Sequence, residues 1–515
     1  MEYRDEVNQS EEKLLKVLGP LSNFAQFIKK IKHPDLFIEL SKIIEIGAPE
    51  KIQLYNIESV LHKKVSQVCR AGSRFSKNCL CVALYGDTDN VMRWAVQHGA
   101  LAVVTNKEIP GIPCIVVENP EQFYATVCGY FRSKSNIQIT AVAGSIGKTT
   151  TKRMITSVFQ EQFNTFNDPE NENQMDCVGY ICQHIPFGTE KQVQEVSEDT
   201  PGCMKYMSAM LRPNIVVITA VDKSHIEQFG SQDKIYEEVC SITNNMVDDG
   251  TVIIDFDDQE VVKYLHGNKK VMTISIDNPN ASFYADNIRS DTQGLHFTIV
   301  DNINSKTFSS SLHNVFAPHN IIAALYAFAA GVISGERYDN ILRGLDNYRT
   351  LGIRQNVYDG EDGVKLYVDC YNAVGKSVES AIIAASSINV CGKKIAVIGD
   401  VEEAGVESEE IHKEIIRIVS NSTFEYLLTF GPKMKEAVDS TPISSNLKVS
   451  SYLNKKDLAR ELRKISKPND LVLFKASRKS ALETVIEYLW PKSYRKEMRL
   501  YSTAKLKWRL KVIFS

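Results

Sequence analysis

Short apolar runs separated by stretches of helical spacing set the pattern of this chain. CLCVALY (79–85) predicts a buried strand, DNVMRWAVQHGA (89–100) a helix that stops at Gly99, and LAVVTN (101–106) and IPCIVVEN (112–119) two further strands. This strand–helix–strand order predicts a small α/β domain over 51–134. A larger α/β domain is expected over 135–345. IQITAVAGSIGKTTTKRMITSVFQ opens it as a strand, a glycine-containing turn and a helix. NIVVITAV (214–221) and TVIIDFD (251–257) add strands, and HNIIAALYAFAAGVI (319–333) reads as an apolar helix. A third α/β domain, over 346–490, carries strands VKLYVDCY (364–371), KKIAVIGD (393–400), EYLLTFG (425–431) and DLVLFKAS (470–477). Helices such as SVESAIIAASSI (377–388) lie between them, the pattern of a parallel sheet.

The two ends differ from this. Over residues 1–50, Leu14, Leu15, Leu18, Phe24, Phe27 and Ile28 fall near helical spacing, and Gly19-Pro20 and His33-Pro34 break the run, so a small helical extension is expected. In the tail, 491–515, eight Lys/Arg oppose one Glu, and apolar and basic residues alternate from Lys505 to Val512. Period-2 alternation favours a strand over an amphipathic helix. Two readings stand open for it: an edge strand or solvated tail, and a peripheral contact with a membrane or a partner.

Composition narrows the function classes. A chain of 515 residues suggests about three domains, and 43% apolar with 24% charged residues excludes collagen-like, disulfide-scaffold and wholly disordered chains. Sixty basic against sixty-three acidic residues give a net charge of −3, so no global field favours nucleic acid or anionic lipid. No apolar run reaches the roughly 18 residues of a spanning helix. The acidic N-terminus lacks the apolar segment of a secretory signal. Eleven scattered cysteines, with no CxxC and no Cys/His cluster at zinc spacing, read as reduced thiols of a cytoplasmic protein.

The strongest local chemistry is AVAGSIGKTTT (141–151), between a strand and a helix. Gly144, Ser145, Gly147, Lys148, Thr149 and Thr150 form a loop whose backbone N–H groups can wrap phosphate oxygens. Lys148 supplies a point charge for the outer phosphates and Thr149 a hydroxyl for Mg²⁺, and the following helix directs its N-terminal dipole at the same anion. The loop is shorter than the strict GxxxxGK[ST] form, since Val142 stands where its first glycine would fall. ATP with Mg²⁺ is the expected ligand.

Further motifs follow in a fixed order, and with them the chain resembles the Mur ligases, ATP-dependent amide-forming enzymes of peptidoglycan precursor synthesis. The resemblance spans roughly residues 50–490. It is nearest to the branch that adds D-alanyl-D-alanine to UDP-MurNAc-tripeptide. It implies a three-domain α/β architecture: a UDP-sugar-binding-like domain, a central P-loop ATP-binding domain and a Rossmann-like C-terminal ligase domain. SRFSKNCLCVALYGDTDN (73–90), with AVQHGALAVV (95–104), is similar to the UDP-sugar-binding segment and makes Ser73 and Arg74 candidate acceptor contacts. Gly72 replaces the Asp usual there. QEVSEDTPG (194–202) implies Mg²⁺ binding by Glu195, and SHIEQFGS (224–231) a second metal or phosphate role for His225. NENQ (171–174) implies substrate contacts from Asn171 and Asn173.

In the last domain GIRQ (352–355) and VDCYNA (368–373) imply nucleotide roles for Arg354 and Asp369, and HNIIAAL (319–325) one for Asn320. IGDVEEAG (398–405), followed by His412, is similar to another family motif, and FKASR (474–478) implies a substrate role for Lys475. Three positions depart from the pattern. Val239 stands where the family carries a carbamylated lysine, Ala323 replaces an Asn, and no Asn-Pro follows Ala373. The implied reaction is ATP-driven amide formation through an acyl phosphate. Lys148, Glu195 and His225 are its catalytic groups, Thr149, Glu195 and His225 the Mg²⁺ ligands, and a water or a nearby Glu such as Glu237 or Glu238 is the expected substitute for the missing lysine. The acceptor is a nucleotide-sugar or another carboxylate, and the second substrate an amino acid or dipeptide. Two alternatives stay open: a ligase for a carboxylate such as a capsule sugar or secondary metabolite, and a degenerate nucleotide-binding scaffold.

Overall fold

Three large sheets, with a two-stranded antiparallel pair of Ile38–Glu39 and Lys64–Val65, organise the computed structural model, which describes residues 38–47, 51–72, 75–168, 172–221, 226–267, 269–291, 293–350, 352–371, 373, 375–402 and 407–498. The helical extension expected before residue 38, the alternating tail beyond 498, and Ser73, Arg74, Asn171 and His225 lie outside the described residues. The chain divides into two compact bodies. One comprises residues up to Ala285 with Ile299–Thr307 and Ile322–Leu345; the other comprises Asp286–Thr298, Phe308–Ile321 and residues from Asp346 onward.

The first sheet holds β1 (Gln53–Tyr55), β2 (Val68–Arg70), β3 (Leu80–Val82), β4 (Ala102–Thr105) and β5 (Cys114–Val116), in the order β1-β5-β4-β3-β2. Helix α1 (Leu40–Gly47) precedes it, α2 (Asp89–Gln97) lies between β3 and β4, and α3 (Pro120–Ser133) follows it. Asn119 caps α3 by accepting from Gln122 N at 2.8 Å. Leu40, Ile43 and Ile44 of α1 are buried in the same apolar cluster as Phe123 and Val127 of α3. Residues 40–47, read from sequence as the end of an extension, are part of this core.

The parallel register sets Cys69 of β2 beside Cys81 of β3, and the Sγ atoms of Cys69, Cys79 and Cys81 lie within 4.8 Å of one another. All eleven cysteines are free thiols, as expected. Linear spacing gave no sign of this convergence because it depends on strand pairing.

The central sheet has β6 (Gln138–Ala143), β7 (Thr165–Asn167), β8 (Lys191–Glu195), β9 (Ile215–Ile218), β10 (Thr251–Asp255), β11 (Lys270–Ser275), β12 (Phe283–Ser290), β13 (Gly294–Asp301) and β14 (Lys306–His313). Their order is β14-β13-β12-β11-β10-β9-β6-β8-β7, parallel from β12 to β7. Helices α4 (Lys148–Phe159), α5 (Met175–Gln183), α6 (Cys203–Leu211) and α7 (Gln232–Cys240) alternate with the strands, and α8 (Asn320–Ile333) and α9 (Tyr338–Asn347) follow. β6 lies between β9 and β8, where strand order reverses, so its carboxyl end opens at a topological switch point. Strand β8, KQVQE, is wholly buried although four of its five residues are polar.

The third sheet contains β15 (Asn356–Asp359), β16 (Lys365–Asp369), β17 (Lys394–Gly399), β18 (Tyr426–Phe430), β19 (Lys448–Tyr452) and β20 (Leu471–Lys475), in the order β15-β16-β20-β17-β18-β19. Only the β15–β16 pair is antiparallel. Helices α10 (Gly375–Ser387), α11 (Ser408–Ser420), α12 (Pro432–Ser440) and α13 (Lys455–Ile465) connect the parallel strands. Residues 491–498, read from sequence as the start of an edge strand or solvated tail, are instead helical, and Tyr494 and Met498 are buried with Trp490 in the core beside β16 and β20. No helix among the described residues is long and apolar enough to cross a membrane.

Candidate active site

The loop between β6 and α4 is pinned by its neighbour strand. Ser145 N and Ile146 N both donate to Ala220 O, at 2.9 and 3.1 Å. Gly144 has φ +120°, and a Cβ there would lie 2.3 Å from Thr219 Oγ1, so only glycine fits between the loop and the end of β9. Gly147 has φ +89° and turns the chain into α4. Lys148 Nζ folds back to donate to Gly144 O and pairs with Glu198 Oε2 at 3.3 Å. Thr149, next in the helix, is buried. An anionic ligand with a cation suits this loop: Ser145 Oγ and Glu198 Oε1 are buried with no hydrogen-bond partner among the described residues.

Beneath the loop lies a charged network. Lys152, one turn beyond Lys148 on α4, is fully buried and pairs with Asp168 Oδ2 at 2.6 Å and Glu195 Oε2 at 3.4 Å. Glu195 ends β8. Its N–H donates to Asp168 Oδ1 at 2.8 Å, and its Oε1 accepts from Asn173 Nδ2 at 2.9 Å. Asn173, read as a substrate contact, here orients Glu195. Burial raises the pKa of the Asp168 carboxyl, against the pull of Lys152 and with the charge of Glu195 adding to the rise.

Helix α7 shows what replaced the expected lysine. Val239 is fully buried in the apolar core of this body. Glu238 accepts from Gly202 N and Met204 N, both at 2.8 Å, and so caps α6. Glu237 is exposed. Glu238, read from sequence as one possible substitute ligand, is thus committed to a helix end.

The second body gathers four of the predicted residues. Asn320 Nδ2 donates to Gln355 Oε1 at 3.1 Å, Gln355 N donates to Asp369 Oδ1 at 3.3 Å, and Lys475 Nζ donates to Asp369 Oδ2 at 2.6 Å. Asn320 Oδ1 is buried with no hydrogen-bond partner among the described residues. The guanidinium groups of Arg354 and Arg478 lie 4.1 and 4.6 Å from the Tyr371 ring centre. His412 is buried and structural: its Nε2 accepts from Val401 N at 3.0 Å and its Nδ1 lies 2.5 Å from Ser408 O. Asp400 caps α12, accepting from Met434 N at 2.8 Å. Sequence reasoning missed Lys152, Asp168, Glu198, Gln355 and Arg478. Of these, Lys152, Glu198, Gln355 and Arg478 stand inside the quoted segments, and only Asp168 lies outside them.

A family model described as the Mur ligase middle domain matches residues 142–331, and one described as the Mur ligase, glutamate ligase domain matches residues 353–478. The chain is similar to the UDP-N-acetylmuramoyl-tripeptide–D-alanyl-D-alanine ligase of Bacillus subtilis, 27% identical over 409 residues that cover 78% of this chain and 88% of the relative. It is similar to the Escherichia coli ligase of the same name at 24%, over 81% and 92% of the two chains. In structure it resembles MurF from Acinetobacter baumannii, with a TM-score of 0.74 and 19% identity over 88% of this chain and 100% of the other. It also resembles MurF from Thermotoga maritima in complex with ADP, with a TM-score of 0.69 and 21% identity over 84% and 98%. The two family models together match more than half of the chain, in the order of the phosphate loop and the sheet that follows it, and the chain belongs to the Mur ligase family.

Proposed function

We propose that this chain is a MurF-type ligase of the cytoplasm, which joins D-alanyl-D-alanine to the tripeptide carboxylate of UDP-MurNAc-tripeptide at the expense of ATP. The observation that carries this is Lys148 on a phosphate loop at the carboxyl end of β6, with Glu195 at the end of the adjacent strand β8 and Glu198 just beyond it. The names of the relatives in Bacillus subtilis and Escherichia coli supply the substrates.

The acceptor carboxylate oxygen attacks the γ-phosphorus, and the bond to the ADP oxygen breaks to leave an acyl phosphate. The amine of the dipeptide then attacks the acyl carbon, its proton is lost, and the carbon–oxygen bond to phosphate breaks. Such a phosphoryl transfer needs positioning and charge neutralisation more than covalent chemistry. Lys148 neutralises charge on the transferring group, and the pinned backbone of Gly144–Gly147 positions it. Mg²⁺, when bound, supplies further charge neutralisation at phosphoryl oxygens; Thr149, Glu195 and, by resemblance, His225 would hold it. Lys152 and Asn173 fix the carboxylate of Glu195. Asn320, Arg354 and Asp369 are proposed nucleotide contacts, and Ser73, Arg74, Asn171 and Lys475 acceptor contacts.

A second reading, a Mur-type ligase for a different carboxylate, is favoured by one observation: Val239 is a core residue where the family carries a carbamylated lysine. The experiment that separates the two is phosphate release by the purified protein with ATP, UDP-MurNAc-tripeptide and D-alanyl-D-alanine, with mass detection of the product. Product formation supports the first reading. Tight Mg-ATP binding without product moves the weight to another acceptor, and absence of both overturns the ligase assignment.

A further inference from the structure

Glu198 is a buried carboxylate with half of its hydrogen-bonding capacity unused. Its side chain is 1% exposed and Oε2 meets Lys148 Nζ at 3.3 Å, while Oε1 is sealed from water with no hydrogen-bond partner among the described residues. Removing a carboxylate from water costs several kcal/mol unless both oxygens are compensated. Glu195 is already placed at the cation by the reading above, and the other neighbouring acids are engaged within the fold. Asp168 holds Lys152 and the Glu195 N–H, Asp199 accepts from Ser197 Oγ at 2.7 Å, and Glu238 caps α6.

The partner Glu198 does have is the group that a nucleotide must take from it. Lys148 cannot serve the outer phosphates and remain the counter-ion of Glu198 without bringing a buried carboxylate close to several phosphate charges. Like charges at that separation in a water-poor site repel strongly. A divalent cation resolves the conflict, since it accepts hard oxygen ligands from carboxylate and phosphate together. We infer that Glu198 is a further carboxylate ligand of the divalent cation that accompanies the nucleotide, held by Lys148 when the nucleotide is absent. This rests on the ATP-and-Mg²⁺ reading above and adds a residue that neither the motifs nor the relatives' names assign.

Calorimetric titration of the full-length protein with ADP, with and without Mg²⁺, tests it, and Mn²⁺ paramagnetic resonance gives a direct measure of metal affinity. In the wild type, Mg²⁺ should tighten ADP binding. Glu198→Gln, which keeps the shape and removes the charge, should reduce that enhancement and the Mn²⁺ affinity by roughly tenfold or more. Metal-free ADP binding should not weaken. Glu198→Asp should recover part of the metal dependence, which also shows that the loss is not one of folding. Two outcomes overturn the inference. One is a Glu198→Gln variant with unchanged metal dependence. The other is ADP binding that tightens equally with and without metal, the result for a carboxylate that serves only as the counter-ion of Lys148. A wild type that binds no ADP in either condition removes the ligase reading itself, and the inference with it.

Discussion

Asp369 and Lys475 stand opposite each other in the parallel register of β16 and β20, and their side chains form a 2.6 Å ion pair with no more than 5% of either exposed. The carboxylate also receives Gln355 N, so the pair ties the loop that carries Arg354 to the ends of two strands. Breaking such a pair leaves an uncompensated buried charge. Lys475→Met should lower stability by about 3–5 kcal/mol, and the double variant Asp369→Asn/Lys475→Met should recover much of it. Urea denaturation of the two variants checks this; equal losses would mean that the pair is not electrostatically coupled.

Gly144→Ala should damage the phosphate loop directly. The added methyl meets Thr219 Oγ1 at 2.3 Å and Thr219 O at 2.7 Å, and the backbone is in a conformation that disfavours alanine. A loss of about 2 kcal/mol or more is expected, with nucleotide binding abolished. Thermal melts and ADP titration measure both.

Lys148→Ala removes a charge and leaves the buried Glu198 without its counter-ion. ATP turnover should fall by roughly a thousandfold or more, and the unfolding midpoint should drop, with Glu198→Gln in the same chain recovering much of the drop but not the turnover. Phosphate release and calorimetry report the two quantities. Retained turnover would exclude Lys148 from the chemistry.

Glu238 separates a structural from a metal-binding carboxylate. It caps α6 through two 2.8 Å hydrogen bonds, so Glu238→Ala should cost about 1–2 kcal/mol and leave Mn²⁺ affinity unchanged. A loss of metal affinity comparable to that of Glu198→Gln would assign Glu238 to the metal instead.

Glu336, between α8 and α9, sets a pH dependence. Both of its carboxylate oxygens are buried without a hydrogen-bond partner among the described residues, and burial raises its pKa from 4.5 to about 7. Between those values the unfolded chain has lost the proton that the folded chain keeps. Stability should therefore fall as pH rises through this window and level off above it. Glu336→Gln should flatten the profile and be more stable than the wild type at pH 8, as read from denaturation at a series of pH values.

The sequence by itself determined the phosphate loop, the parallel α/β character and most of the strands that carry the site. β9 is a continuous apolar run, and β6 and β20 are largely apolar, because both of their faces are buried, and a glycine-containing turn before a helix is a local signal. β8 was not legible. Its Lys, Gln and Glu side chains are polar, and they tolerate burial only because Gln138, the Glu172 carbonyl, Asn173 and Lys152 meet them from other parts of the chain. The same holds for the ion pair of Asp369 with Lys475, 106 residues apart, and for the thiols of Cys69 and Cys81. Glu198 was passed over for Glu195 because nothing local distinguishes one acid from the next. Only the tertiary structure decided which carboxylate was fully compensated and which was left beside Lys148 with an oxygen to spare, because the compensation of a buried charge depends on groups that folding alone brings within hydrogen-bond reach.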